Sequence, residues 1–214
     1  MEPTPDTDAS EAEENDAAWV VVETGLEAEE LFGFCQDVER LFRINPAYVF
    51  RRWEDLGGGI VRWAALNESN DREIDTRFSV ERLPHGLAVT YASGLKTRTT
   101  FRVEPGGGPG GGGATLVVTD DYSGTPEAER EARVDEVDTS LNSWGYGLHK
   151  YLRQWRRWSG LAPWRWYMRR VWQPMRPMAR RIVFLLIVIT ALEFVGFLLV
   201  FAIFRLNLEG YLGL

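Results

Sequence analysis

Side chains able to do covalent or acid–base chemistry are few in this chain, and they are scattered. There are two histidines, His85 in a Pro84-His85-Gly86 turn and His149 on a helix, and one cysteine, Cys35. No His, Cys and carboxylate group recurs at metal-ligand spacing and no nucleophile motif occurs, so neither a metal site nor a catalytic residue is assigned. Asp120-Asp121 closes a strand, and carboxylates there read as turn-capping or solvated rather than as an acid and a base. The glycine run 106–113 meets the G-x-G-x-x-G spacing only because nearly every position is glycine. A strand follows it, whereas a phosphate cradle needs a helix N-terminus behind the loop, so it reads as a slack hairpin loop. No cofactor is expected.

What the sequence offers instead is apolar surface with a few polar groups, the composition of a small-molecule pocket. Strand alternation and a helical stripe select Trp63, Phe78, Tyr91, Phe101, Val118, Trp144 and Leu148 as cavity-lining, ligand-binding candidates, with Tyr91 supplying a polar group. The competing reading for each of them is ordinary core packing.

The other chemistry is that of a bilayer. Residues 182–204 are 23 consecutive positions with Glu193 as the one ionisable group and no proline. At about 1.5 Å per residue they span roughly 34 Å, enough for a transmembrane helix. Before them, residues 149–181 hold ten Lys and Arg and no Asp or Glu. The positive-inside rule then expects a single-pass protein with its N-terminal domain cytoplasmic and the tail 205–214 on the opposite side. The neck 159–181 interleaves rings with cations. Trp158, Trp164, Arg165, Trp166, Arg169, Arg170, Trp172, Arg180 and Arg181 are candidates for an interface with anionic headgroups of the lipid bilayer. Glu193 lies mid-span, where an ionisable group either contacts another membrane protein or is a tolerated side chain facing lipid.

Charge separates the remaining classes. Lys and Arg number 24 against 31 Asp and Glu, and the basic excess sits in the neck, so the body is acidic and no nucleic-acid partner is expected. A single cysteine rules out an internal disulfide framework and suits a reducing compartment. Residues 1–16 carry acids, no base and no large apolar side chain, which reads as a disordered acidic tail and not a signal peptide.

These features need elements to position them. Residues 18–24 are a β-branched run, and 26–37 and 38–44 read as two short helices stopped by Asn45-Pro46. Strands at 48–54, 60–67, 72–83, 87–92, 95–103 and 114–122, joined by short Gly- and Pro-containing turns, predict an antiparallel meander. From Thr125-Pro126-Glu127 a helix of about 32 residues carries Val134, Val137, Leu141, Trp144, Leu148, Tyr151, Trp155 and Trp158 on one stripe, weakened at Gly145 and Gly147. Such a stripe needs a partner surface, and the inner face of the sheet is the one large enough.

This order, with VVVETGLEAEELFGFCQDVERLFRINP at its start and DEVDTSLNSWGYGLHKYL near its end, resembles the START-like superfamily, also called SRPBCC or Bet v 1-like, over residues 17–158. The resemblance implies an α+β helix-grip fold, a curved antiparallel sheet wrapped on a long C-terminal helix, with a cavity between them for a lipid, quinone or similar hydrophobic ligand. With its C-terminal span the whole chain is similar to the membrane-anchored carbon monoxide dehydrogenase accessory protein G. The expected function is binding or transfer of an apolar small molecule at the cytoplasmic membrane face. The alternatives are an accessory or assembly subunit of a larger membrane complex and, with Tyr91 as its one candidate residue, a cyclase-type enzyme.

Overall fold

The computed structural model describes residues 17–106, 113–126, 128 and 134–212, with side chains described outside 134–139 and 206–212. The acidic segment 1–16, the middle of the glycine run, residues 127 and 129–133, where the long helix is expected to begin, and the end of the tail lie outside the described residues.

The chain runs β1 (Ala17–Leu26), α1 (Ala28–Cys35), α2 (Val38–Ile44), β2 (Tyr48–Gly57), β3 (Ile60–Asn67), β4 (Arg72–Leu83), β5 (Gly86–Tyr91), β6 (Arg98–Glu104), β7 (Ala114–Asp121) and α3 (Val134–Trp158). The strands form one seven-stranded sheet in the order β1-β7-β6-β5-β4-β3-β2, antiparallel throughout. Each meander strand pairs with its sequence neighbours, as short turns require. The exception is β1, which crosses to the far side and pairs with β7.

Alternation decides which side chains meet. The registers align Val20, Val118, Phe101 and Leu87 across four strands on the inner face. Against this face lie Leu141, Trp144, Leu148, Tyr151, Leu152 and Trp155 of α3, all buried. Trp144 is the pivot: its ring centroid is 5.3 Å from both Phe42 and Phe101, and its Nε1–H donates to the Leu41 carbonyl at 2.9 Å. One buried side chain thus ties α3, α2 and the sheet, and satisfies its polar atom. The long helix across the inner face of an antiparallel sheet is the helix-grip arrangement, α+β in class.

The glycines expected to weaken the helix do not interrupt it. A Cβ at Gly145 would lie 2.6 Å from the Val20 side chain, and one at Gly147 would lie 3.0 Å from the Ile44 carbonyl. Their helix-propensity cost of about 1 kcal/mol each permits close approach to β1 and α2. α2 is opened by Asp37, whose carboxylate accepts from the Arg40 backbone N–H at 3.1 Å and pairs with the Arg40 side chain.

After α3 come α4 (Ala162–Tyr167) and a π-helical turn (Met168–Trp172). They fold back on the domain. Met168 is buried, Trp164 sits 5.6 Å from the Trp155 ring, and Trp172 sits 5.4 Å from Tyr151. The compact unit accordingly continues to Pro174.

The second unit begins at Met175 and consists of α5 (Pro177–Leu212). Its stretch Pro177–Arg205 is long and apolar enough to cross a membrane, and residues 184–205 of it are all exposed. Glu193 lies exposed along it, among exposed Leu192 and Phe194.

Candidate functional site

A cleft of about 480 Å³ opens where one end of the sheet meets α3. Tyr48 from the start of β2, Trp63 from β3, Tyr91 from the end of β5 and Tyr122 just past β7 provide four aromatic walls. The end of β3 contributes Asn67, the β3–β4 connection Asn70, and β4 Arg72, Glu73, Ile74, Asp75 and Thr76. Segment 93–96 and Ser140 of α3 complete the lining.

Segment 93–96 departs from the expected strand. Pairing in β6 resumes only at Arg98, leaving Leu95 and Lys96 in a connection that follows Gly94. The connection is nevertheless fixed. Thr97 N–H donates to the Asp121 carbonyl at 2.8 Å, and Thr125 Oγ1 donates to the Leu95 carbonyl at 2.8 Å. Freed from the strand, Lys96 reaches inward.

There it meets Asp120, which is wholly buried and not the solvated or turn-capping group expected. The reason is register. Asp120 stands opposite Thr99 in the β6–β7 pair and shares the inward face with Leu116 and Val118, while Asp121 points to the other side. Lys96 Nζ pairs with Asp120 Oδ2, Thr99 Oγ1 donates to Asp120 Oδ1 at 2.5 Å, and Tyr122 OH donates to Oδ2 at 3.5 Å. Because the Thr99 proton is committed to the carboxylate, Tyr91 must donate to Thr99 Oγ1, 3.1 Å away. The Lys96 ammonium also lies 5.6 Å from the Trp144 ring centroid.

The electrostatics follow from burial and pairing. Burial opposes charge on Lys96, but the Asp120 carboxylate beside it outweighs that and holds its pKa well above the ordinary lysine value. Burial also pushes the Tyr91 and Tyr122 phenols above their ordinary range, so both remain O–H donors. The inner end of the cleft is thus a neutralised, hydrogen-bonded ion pair surrounded by rings.

Of the residues selected from sequence, Trp63 and Tyr91 line this cleft. Phe78, Phe101, Val118, Trp144 and Leu148 are fully buried around it and do not line it. Phe78 touches the Tyr91 ring at 5.9 Å, and Phe101 packs on Trp144. Sequence reasoning missed Lys96, Asp120, Thr99, Tyr48 and Tyr122. The parity of Asp120 with Leu116 and Val118 was the available signal. Among the described residues no cluster of His, Cys, Asp or Glu could hold a metal ion. Burial pushes the Cys35 thiol up to about 12, with Arg40 opposing, which keeps it inert.

The neck divides into two sets. Trp164 and Trp172 face the domain, whereas Trp158, Leu161 and Trp166 are exposed beside Arg165, Arg169 and Arg170.

No family model matches the chain, and no curated protein matches it. Solved structures do resemble it at low identity. The DR_A0006 protein of Deinococcus radiodurans is 18% identical with a TM-score of 0.46, over 64% of this chain and 95% of that one. An AHSA1-like protein from Aeromonas hydrophila is 15% identical with a TM-score of 0.40, over 63% and 93%. The di-domain ARO/CYC StfQ of steffimycin biosynthesis is 13% identical with a TM-score of 0.46, over 71% of this chain and 55% of its own length.

Proposed function

We propose that the chain is a membrane-tethered helix-grip domain that binds or hands over a hydrophobic small molecule at the cytoplasmic face of a bilayer. The observation that carries this reading is the cleft between sheet and long helix, about 480 Å³ and walled by Tyr48, Trp63, Tyr91 and Tyr122. That size falls within the range of small-molecule sites, and its flat walls suit a ring or chain of comparable width. Phe78, Phe101, Val118, Trp144 and Leu148 serve the ligand indirectly, by holding those walls from behind.

The tether is α5, and the positive neck before it supports the cytoplasmic orientation. Trp158 and Trp166, with Arg165, Arg169 and Arg170, supply exposed rings and cations for anionic headgroups, and Arg180 and Arg181 extend that charge to the start of the span. Trp164 and Trp172 contribute by fixing the neck to the domain.

The full chain purified in lipid nanodiscs should yield, on organic extraction and mass spectrometry, a discrete apolar compound in amounts comparable to the protein. Repeated preparations with nothing beyond the extract of empty nanodiscs would overturn the reading. Glu193, exposed midway along an otherwise apolar helix, favours a second reading as a subunit of a larger membrane complex. In that case a detergent pull-down recovers a stoichiometric partner that Glu193→Leu loses.

A further inference from the structure

We infer that the cleft selects a neutral ligand presenting a hydrogen-bond-accepting oxygen on a flat ring body, anchored by the Lys96 ammonium. The inference rests on the ligand-binding reading above and adds the chemical class.

The argument is an account of donors and acceptors. The ammonium of Lys96 has three N–H bonds, and Asp120 takes one. Among the described residues no second acceptor lies within hydrogen-bond reach of it. Trp63, in the cleft wall and 2% exposed, has a buried indole N–H with no acceptor among the described residues. Buried donors left unpaired are costly, and native proteins seldom keep one without a use. At the Lys96 end of the cleft the acceptor capacity is taken up: Asp120 receives from Thr99 on one oxygen and from Lys96 and Tyr122 on the other. The proton of Tyr91 is spent on Thr99. The unfilled need is therefore for acceptors, and the ligand must bring them.

Charge narrows the class further. Asp120 already neutralises Lys96, Arg72 balances the Glu73 and Asp75 carboxylates in the same lining only together with Lys96, and Asp75 is paired with Arg62. The cleft therefore holds no excess positive charge to repay the desolvation of a carboxylate or phosphate. A carbonyl, ether or hydroxyl oxygen meets no such penalty. The body behind it faces aromatic side chains, against which a flat ring stacks best.

The test uses a matched probe pair, 2-acetylnaphthalene and 2-ethylnaphthalene, which differ by one carbonyl oxygen. Binding is measured by equilibrium dialysis of the full chain in nanodiscs against empty nanodiscs. A hydrogen bond to a charged donor predicts that the ketone binds about tenfold more tightly than the hydrocarbon. That preference should vanish in Lys96→Met/Asp120→Asn, which removes the ammonium without stranding a buried carboxylate, and shrink in Trp63→Phe, which keeps a ring. Equal binding of both probes to the native chain overturns the inference while leaving the ligand-binding reading intact. So does a preference that survives in both variants. If neither probe binds beyond empty nanodiscs, the ligand-binding reading falls and the inference falls with it.

Discussion

Replacing Lys96 by methionine keeps most of the side chain's volume and removes its charge, leaving Asp120 buried without its counter-ion. Breaking a buried ion pair from one side costs about 3–5 kcal/mol. Two features place this case at the lower end. Asp120 keeps Thr99 and Tyr122 as donors, and the Lys96 side chain is 16% exposed, so cleft water already screens part of the pair. A loss of about 3 kcal/mol corresponds to roughly 6–12 °C for a domain of this size. Lys96→Met/Asp120→Asn should recover most of that loss, because two neutral groups carry no stranded charge. Near-ultraviolet circular dichroism of the full chain in detergent follows the domain through the packed Trp144, and melts of the native chain, both single variants and the double variant close a thermodynamic cycle. If Lys96→Met melts within about 2 °C of the native protein, or the double variant loses the sum of the two singles, the pair is not the buried, coupled unit described.

Three further outcomes are expected. Cys35, Tyr91 and Tyr122 all hold their protons more tightly in the fold than in the unfolded chain, because burial raises each of them. Their stabilisation is complete below the unfolded values of about 8.5 to 10 and is lost as pH climbs above those toward the folded ones, so the urea midpoint should fall across that window and a flat profile would refute the assignment. Trp144→Ala empties the centre of the core and orphans the Leu41 carbonyl, costing about 3–5 kcal/mol in denaturant titrations. Brominated lipids should quench the exposed Trp158 and Trp166, so Trp158→Phe/Trp166→Phe removes most of the neck's quenching while Trp164→Phe removes little; the opposite order would reverse the two sets.

Element order and class were legible because short turns and strict alternation leave an antiparallel meander few other solutions. Strand limits agreed closely at the Pro84-His85-Gly86 turn, whereas β2 runs on three residues past its expected end, into Gly57. They diverged at 95–97, where local residues allow a strand and only the distant Asp120 draws Lys96 inward. The same long-range pairing explains why the polar heart of the cleft escaped notice. An aspartate at a strand end resembles a surface group until its parity is compared with Leu116 and Val118. The neck misled in the other direction: composition cannot separate rings that dock on Tyr151 and Trp155 from rings left exposed, since α4 and the π-helical turn sort them by rotation about the helix axis.

The pairing of β1 with β7 has a consequence for how the molecule assembles. Thr24 and Ala114, joined by a 2.6 Å hydrogen bond, are 90 positions apart, whereas every other strand pair joins neighbours in sequence. Loop closure of that length is slow to win back its entropy, so the meander is expected to zip first, with the outermost edge still vacant. Until the N-terminal strand arrives, β7 presents an open ladder of Leu116, Val117 and Val118, the kind of template that invites a neighbouring chain. Gly25 and Gly113, whose backbones come so close that a Cβ on Gly113 would lie 2.7 Å from the Gly25 Cα, form the latch of this late closure. A bulkier residue at either glycine should therefore show itself as aggregation during refolding before it shows as a lower melting point.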